Sequence, residues 1–301
     1  MRTDGDTWDI VSSVGLTALG VATFRAIESL RPNALIEDSY APWFVESAGE
    51  PHFTALLASP TSLDDLPFSG FMGMGMGIRT KFFDDFFLAA ARSGVSQSTI
   101  LASGLDARAY RLDWPTGTTV FEVDQPKVLE FKERVLTEHS AEPKAHRRTV
   151  AVDLRDDWPT ALKAAGFEPS ASSAWSAEGL LAYLPGPAHD ALFERIDNLS
   201  SSDSRLALNY FPSGMDAQRF ADIRAKYFSK DPFGDIDMAA LFYEDERADP
   251  MQWLTEHDWS VECLNSIELA NMYGEPIPDL PPELADLSEQ SGYLTAIKTA
   301  N

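Results

Sequence analysis

The sequence predicts an α/β fold: a mostly parallel sheet of seven strands with an antiparallel last strand, preceded by helices and interrupted by a helical insert. Three observations predict it. A short β-branched and apolar run at residues 99–101 breaks at Ser103-Gly104 and resumes as a helix-compatible segment, which is the strand, turn and helix of a parallel sheet. Strand-like runs then recur at residues 118–123 (TTVFEV), 148–152 (RTVAV), 171–183 (ASSAWSAEGLLAY) and 205–210 (RLALNY), with a helical segment between each of the five and the next. Finally, acidic residues stand where strands leave the sheet, at Asp124, Asp153 and Glu178.

A chain of 301 residues, 44% hydrophobic, can bury the core of one large domain with additions. The division expected is a helical cover over 1–97, a cofactor-binding core over 98–210, a lid insert over 211–247, and a C-terminal helix with strands over 248–301. The formal net charge of −23 sets the summed field against nucleic acid and anionic membrane surfaces. The single cysteine, Cys263, lies in the strand-like run WSVECLN, where a buried inert thiol is expected, with no disulfide framework. Five scattered histidines form no pair at zinc-ligand spacing, so no metal site is expected. The N-terminus lacks a basic segment followed by an apolar one, and no run approaches the ~20 apolar residues of a membrane span. A cytoplasmic protein is expected.

Taken in order, residues 8–30 carry apolar side chains at three and four spacing, a helix stopped by Pro32. Further helices are expected at 41–48 and 52–58. Residues 70–87, GFMGMGMGIRTKFFDDFF, alternate Gly and Met before a helix, so the first part is read as mobile or closely approached by another backbone. Its methionines either fill core gaps or line a ligand pocket. Arg79 and Lys81 follow, suited to a carboxylate or to a plain helix-surface pair. After the second strand, Asp124 lies 20 positions beyond Gly104, the separation at which an acidic strand end reaches a ribose hydroxyl; it also suits the cap of the helix over 127–136. Asp153-Leu154 end the third strand, a helix covers 158–165, and Glu178 at the end of the fourth reads as cap or ligand contact. Another helix follows at 184–199. The insert 211–247 is rich in aromatics (Phe220, Tyr227, Phe228, Phe233, Phe242, Tyr243) and longer than an ordinary connection, which suggests a lid. A helix at 251–257 leads to strands at 259–264 and 292–298. The proline-rich IPDLPPELAD between them reads as a loop too short for a crossover helix, hence an antiparallel return.

Two cofactor classes suit a glycine turn with acidic strand ends. A dinucleotide needs its pyrophosphate against G-x-G-x-x-G. Here Gly104 is followed by Leu105, Asp106, Ala107 and Arg108, and Asp106 opposes a phosphate. S-adenosylmethionine carries no phosphate and bears a sulfonium and an ammonium, which the carboxylates favour. Methyl transfer is therefore preferred over an NAD(P)-dependent oxidoreductase. A non-catalytic regulatory protein that binds S-adenosylmethionine remains a further alternative.

The set RTKFFDDF, ILASGLDARAYRLDWP, FEVDQP, VAVDL and AEGLLAYL resembles the large actinobacterial family of S-adenosyl-L-methionine-dependent methyltransferases related to leucine carboxyl methyltransferases. The resemblance runs over nearly the whole chain and implies a class I, Rossmann-like methyltransferase fold. It implies that Asp124 binds the ribose, Asp153 and Leu154 the adenine region, and Arg79 the cofactor carboxylate. By the same resemblance Gly104 admits the methionine portion and Glu178 faces its amino group. The expected reaction is in-line transfer to an oxygen, a carboxylate or hydroxyl of a small or lipid-like acceptor, with no catalytic base assigned. Trp8, Trp43 and the insert's aromatics are read as an apolar acceptor pocket or as core packing.

Overall fold

A computed structural model describes residues 9–12, 14–59, 69–210, 217–227, 233–234, 236, 239–243, 245–277 and 280–300. Among them seven strands form one sheet: β1 (Gln97–Leu101), β2 (Thr119–Asp124), β3 (His146–Ala151), β4 (Ser173–Ala177), β5 (Arg205–Tyr210), β6 (Trp259–Asn265) and β7 (Gly292–Lys298). Their order is β3-β2-β1-β4-β5-β7-β6. The neighbours from β3 to β5 pair in parallel, and β7 pairs antiparallel with both β5 and β6. β6 therefore runs with the parallel set, and β7 reverses between it and β5. The expected hairpin loop is a pair of helices instead, α11 (Ser266–Met272) and α12 (Pro282–Gln290). Asn265 and Glu268 close a capping box on the first, and Pro282 starts the second at the position where a proline costs no hydrogen bond.

The strand pattern of period two sorts the sheet into unequal faces. Ala174 and Ala207 point to one face, while Trp175, Leu206 and Leu208 point to the other. The small-residue face receives α1 (Val14–Glu28), α2 (Ala41–Ala48) and α4 (Ser69–Arg92), and Phe82, Phe83, Phe86 and Phe87 of α4 fill the room the alanines leave. The other face is covered by α7 (Trp158–Ala164), α8 (Gly186–Asn198) and α10 (Pro250–Glu256), with Trp158 edge to face and Phe167 tilted against Trp175 at its centre. The remaining helices are α3 (Pro51–Ala58), α5 (Arg108–Arg111), α6 (Pro126–Glu138) and α9 (Ala217–Tyr227).

Two expectations need correction, and two open readings are decided. The Gly-Met alternation is helical throughout its described length, because it lies within α4. Close approach occurs at Gly77, where a Cβ would lie 2.7 Å from Cδ of Glu28 on α1; among the described residues nothing crowds Gly73 or Gly75. Met76 packs with Phe24 and Ile27, so that methionine is core. Cys263 is exposed rather than buried: it lies towards the end of edge strand β6, with Sγ 3.0 Å from the Tyr210 hydroxyl. Trp43 stacks on His139, the residue that caps the C-terminus of α6, its ring centroid 4.3 Å away, and packs against the core. Trp8 and Phe228 lie outside the described residues, as does the side chain of Phe220.

Candidate cofactor site

The carboxyl ends of the parallel strands converge on the turn that follows β1. The chain leaves β1 through Ala102 at φ 52°, a left-handed conformation unusual for a residue with a side chain. Gly104 follows at φ 47°, and its amide donates to Oδ2 of Asp124 at 2.6 Å. The Asp124 carboxylate also accepts from the Gln125 amide at 2.7 Å, so it closes β2 onto the turn. Burial raises the Asp124 pKa to about 6, against the two amides and against Lys132.

The second acid, Asp153, sits one strand further out and is bound by the Arg155 guanidinium at 2.7 Å and by the Gln125 amide side chain at 2.7 Å. Burial works against its charge, but Arg155 prevails and holds its pKa below the ordinary carboxylate value. Leu154, beside it, is buried. Gln125 thus links the ends of β2 and β3.

Glu178 emerges directly from β4. Its Oε1 accepts from Arg79 Nε and its Oε2 from Arg108 Nη1, each at 2.8 Å. Behind it, Arg108 binds Asp106 and, at 2.7 Å, Asp84 of α4. Arg111 binds Asp84 at 2.5 Å, and Arg25 of α1 binds Asp38 at 2.8 Å. Four guanidinium groups (Arg25, Arg79, Arg108, Arg111) meet four carboxylates (Asp38, Asp84, Asp106, Glu178), so the network is neutral. Burial opposes ionisation of Glu178, but Arg108 and Arg79 outweigh it and lower its pKa. Asp106 behaves alike, with Arg108 the chief opponent of burial.

This network corrects the electrostatic reading of the sequence. Asp106 is neutralised by its neighbour Arg108 and presents no free charge to a phosphate. Poor suitability for a pyrophosphate instead follows from α5, a single turn of four residues that has no developed helix N-terminus.

Arg79, Gly104, Asp124, Asp153, Leu154 and Glu178 all lie at this one edge of the sheet. Sequence reasoning missed the groups behind them: Arg108, Asp84, and Arg25, whose Nη2 donates to the Leu105 carbonyl at 2.6 Å. A signal existed for one of them. An aspartate inside the aromatic run FFDDFF demands a buried partner, and the arginines of DARAYR could have been offered for it. Arg25 also explains the cover, because it ties α1 to the turn, and a Cβ built on Gly104 would come 3.3 Å from Ala18 of α1.

The residues fit the amino-acid end of S-adenosylmethionine. A cation and an anion stand adjacent, and the hydroxyl oxygen of Ser103 in the turn is buried with no hydrogen-bond partner among the described residues.

The sequence matches the leucine carboxyl methyltransferase family over residues 18–197. The chain belongs to that family. Among its relatives, a Rhodococcus jostii protein named "Putative S-adenosyl-L-methionine-dependent methyltransferase" is 71% identical, over 99% of this chain and 100% of its own length. A Mycobacterium tuberculosis protein of the same description is 48% identical, over 99% of this chain and 97% of its own. Of solved structures, the methyltransferase SibL in its apo form matches 85% of this chain and 62% of its own, at 16% identity and a TM-score of 0.45. The magnesium protoporphyrin IX methyltransferase of Synechocystis with bound S-adenosylhomocysteine matches 76% and 88%, at 12% identity and a TM-score of 0.44. This leucine carboxyl methyltransferase family member is an S-adenosyl-L-methionine-dependent methyltransferase with the class I fold. Among the described residues no group of three or more His, Cys, Asp or Glu could hold a metal ion, and no helix is long and apolar enough to cross a membrane.

Proposed function

We propose that the enzyme methylates an oxygen of a small or lipid-like acceptor, a carboxylate in the first instance, and that Arg79, Gly104, Asp124, Asp153, Leu154 and Glu178 hold the cofactor. The observation that carries the site reading is the Arg79–Glu178 pair at the sheet edge, a cation and an anion in reach of each other and of the Gly104 turn. The family's description supports a carboxyl acceptor. S-adenosylmethionine, when bound, supplies a methyl group on a sulfonium that leaves as a neutral thioether.

The chain's own part is binding, orientation and exclusion of water. Arg79 takes the carboxylate of the methionine portion and Glu178 its ammonium; Asp124 accepts from the ribose, and Asp153 with Leu154 borders the adenine. A carboxylate acceptor arrives already as an anion, so no side chain has to remove a proton from it. The cover supplies apolar surface: Phe233 of the insert meets Phe24 of α1 with ring centroids 5.5 Å apart. Of the other described insert aromatics, Phe242 packs edge to face on Tyr183 and Tyr227 donates to Glu283 of α12.

The test is transfer of label from methyl-labelled S-adenosylmethionine into small-molecule and lipid extracts. A product that releases labelled methanol in mild base is the expected outcome, as a methyl ester does. Base-stable label would replace the carboxylate by a hydroxyl or nitrogen acceptor, and no label in any fraction would favour the binding-protein reading.

A pH profile checks Asp124 separately. Its raised pKa of about 6 makes the carboxylate largely protonated at pH 5 and ionised at pH 7. Only the ionised form has both oxygens free to accept hydroxyl donors. Affinity for S-adenosylhomocysteine is expected to be about tenfold weaker at pH 5 than at pH 7, and Asp124→Asn to flatten that difference. A profile unchanged by the substitution would assign the titration to another group.

A further inference from the structure

Glu178 is shared by two arginines whose circumstances differ. Arg79 reaches it from α4 with 19% of its side chain exposed, at the rim of the site. Arg108 reaches the other oxygen with 2% exposed. Arg108 is also bound to Asp84 and Asp106, donates to the Thr80 carbonyl at 3.3 Å, and its backbone amide donates to Asp106 at 2.6 Å. The Phe83 ring lies 5.6 Å from its guanidinium carbon. Moving Arg108 would take a guanidinium from three buried carboxylates at once and leave Asp106 without one, whereas moving Arg79 releases a rim contact.

Rearrangement on binding is therefore confined to one side of Glu178. Gly179 stands at φ 60° against the Arg79 guanidinium, where any Cβ would collide with it, and the Gly179 amide donates to Asn209 at 2.7 Å. The backbone after Glu178 is thereby fixed, and the guanidinium of Arg79 lies close along it.

We propose that Arg108 is the positioning residue of this site: it holds the Glu178 carboxylate in place while the Arg79–Glu178 bond opens to admit a zwitterionic amino-acid group. This rests on the reading that Arg79 and Glu178 take that end of the cofactor. The exchange conserves charge, since one internal ion pair is replaced by two pairs to a ligand that is itself neutral at that end. Arg108 acts through Glu178 and touches no ligand atom.

The consequence is selectivity, which a merely structural role would not produce. The experiment compares S-adenosylhomocysteine with 5′-methylthioadenosine, which keeps the adenine, ribose and thioether but lacks the amino-acid end. Calorimetry with both ligands is run on wild type, Arg108→Lys, Glu178→Gln and the double variant. Wild type is expected to prefer S-adenosylhomocysteine strongly. Arg108→Lys keeps the charge but loses the fork that binds several carboxylates at once. It is expected to weaken S-adenosylhomocysteine by about 30-fold and 5′-methylthioadenosine by no more than about twofold. In the Glu178→Gln background the same change is expected to cost less than about threefold, because the group it positions is already altered.

Equal losses for both ligands, or additive losses in the double variant, would overturn the positioning role while leaving the Arg79–Glu178 reading in place. A wild type without preference between the two ligands would overturn that reading and the positioning role together. Should Arg108→Lys fail to fold, Asp84→Asn loosens Arg108 from behind and is expected to give a smaller loss of the same selective kind; a non-selective loss there counts against the role.

Discussion

Asp124→Ala is expected to weaken S-adenosylhomocysteine binding by about 10- to 100-fold, the range that corresponds to removing hydrogen bonds to a charged acceptor. The fold should hardly notice. Because burial raises the folded pKa of Asp124 to about 6, above its ordinary value, the folded chain binds more protons than the unfolded one between roughly pH 4 and pH 6. Stability contributed by this group is therefore present at low pH and lost as pH rises through that window, so at pH 7 the ionised carboxylate is a cost. Its removal offsets the loss of the hydrogen bonds from Gly104 and Gln125, worth about 1 kcal/mol each. A thermal unfolding curve beside the titration separates the two effects. Unchanged affinity would sink the ribose assignment, and a collapse in stability would show that the carboxylate is structural.

Trp175→Ala is expected to do the opposite, costing about 3–5 kcal/mol of stability with little direct effect on the site. Trp175 is fully buried at the middle of β4, with Phe167 and Trp158 against its ring and its Nε1 donating to Ser200 at 2.9 Å. Its removal leaves a cavity on the large-residue face and takes one donor from the Ser200 hydroxyl, which keeps its bond to the Ile196 carbonyl, while Glu178 lies past the end of the strand. In a chain of this size a drop in Tm of roughly 10 °C is the corresponding reading. A drop of a degree or two would mean that α7 and α8 collapse into the space.

The contrast between these two residues shows where the sequence is informative. Strand positions follow from runs of apolar and β-branched residues, so β5 is found at its observed bounds and β1, β2 and β3 within two residues. The acidic strand ends are legible for the same reason, since a charged residue after an apolar run marks the strand's exit. What could not be read is pairing across long separations. Arg108 and Glu178 are 70 residues apart, and only the fold brings them together. Without that contact Asp106 looked like a free negative charge, and the neutral network behind the turn was invisible. The proline-rich stretch before β7 misled for a local reason, because a proline that opens a helix and a proline that breaks one are the same letter.

The neutral knot of arginines and carboxylates also bears on behaviour in salt. The chain as a whole carries −23, and exposed like charges repel one another until dissolved ions screen them. The knot is shielded from those ions, since Arg108 and Arg111 are 2% and 8% exposed and Asp38 is fully buried. Added salt therefore relieves a strain on the surface without loosening the floor of the proposed cofactor site. A protein built this way should keep its ligand grip in brine, where one that relied on exposed ion pairs would lose it.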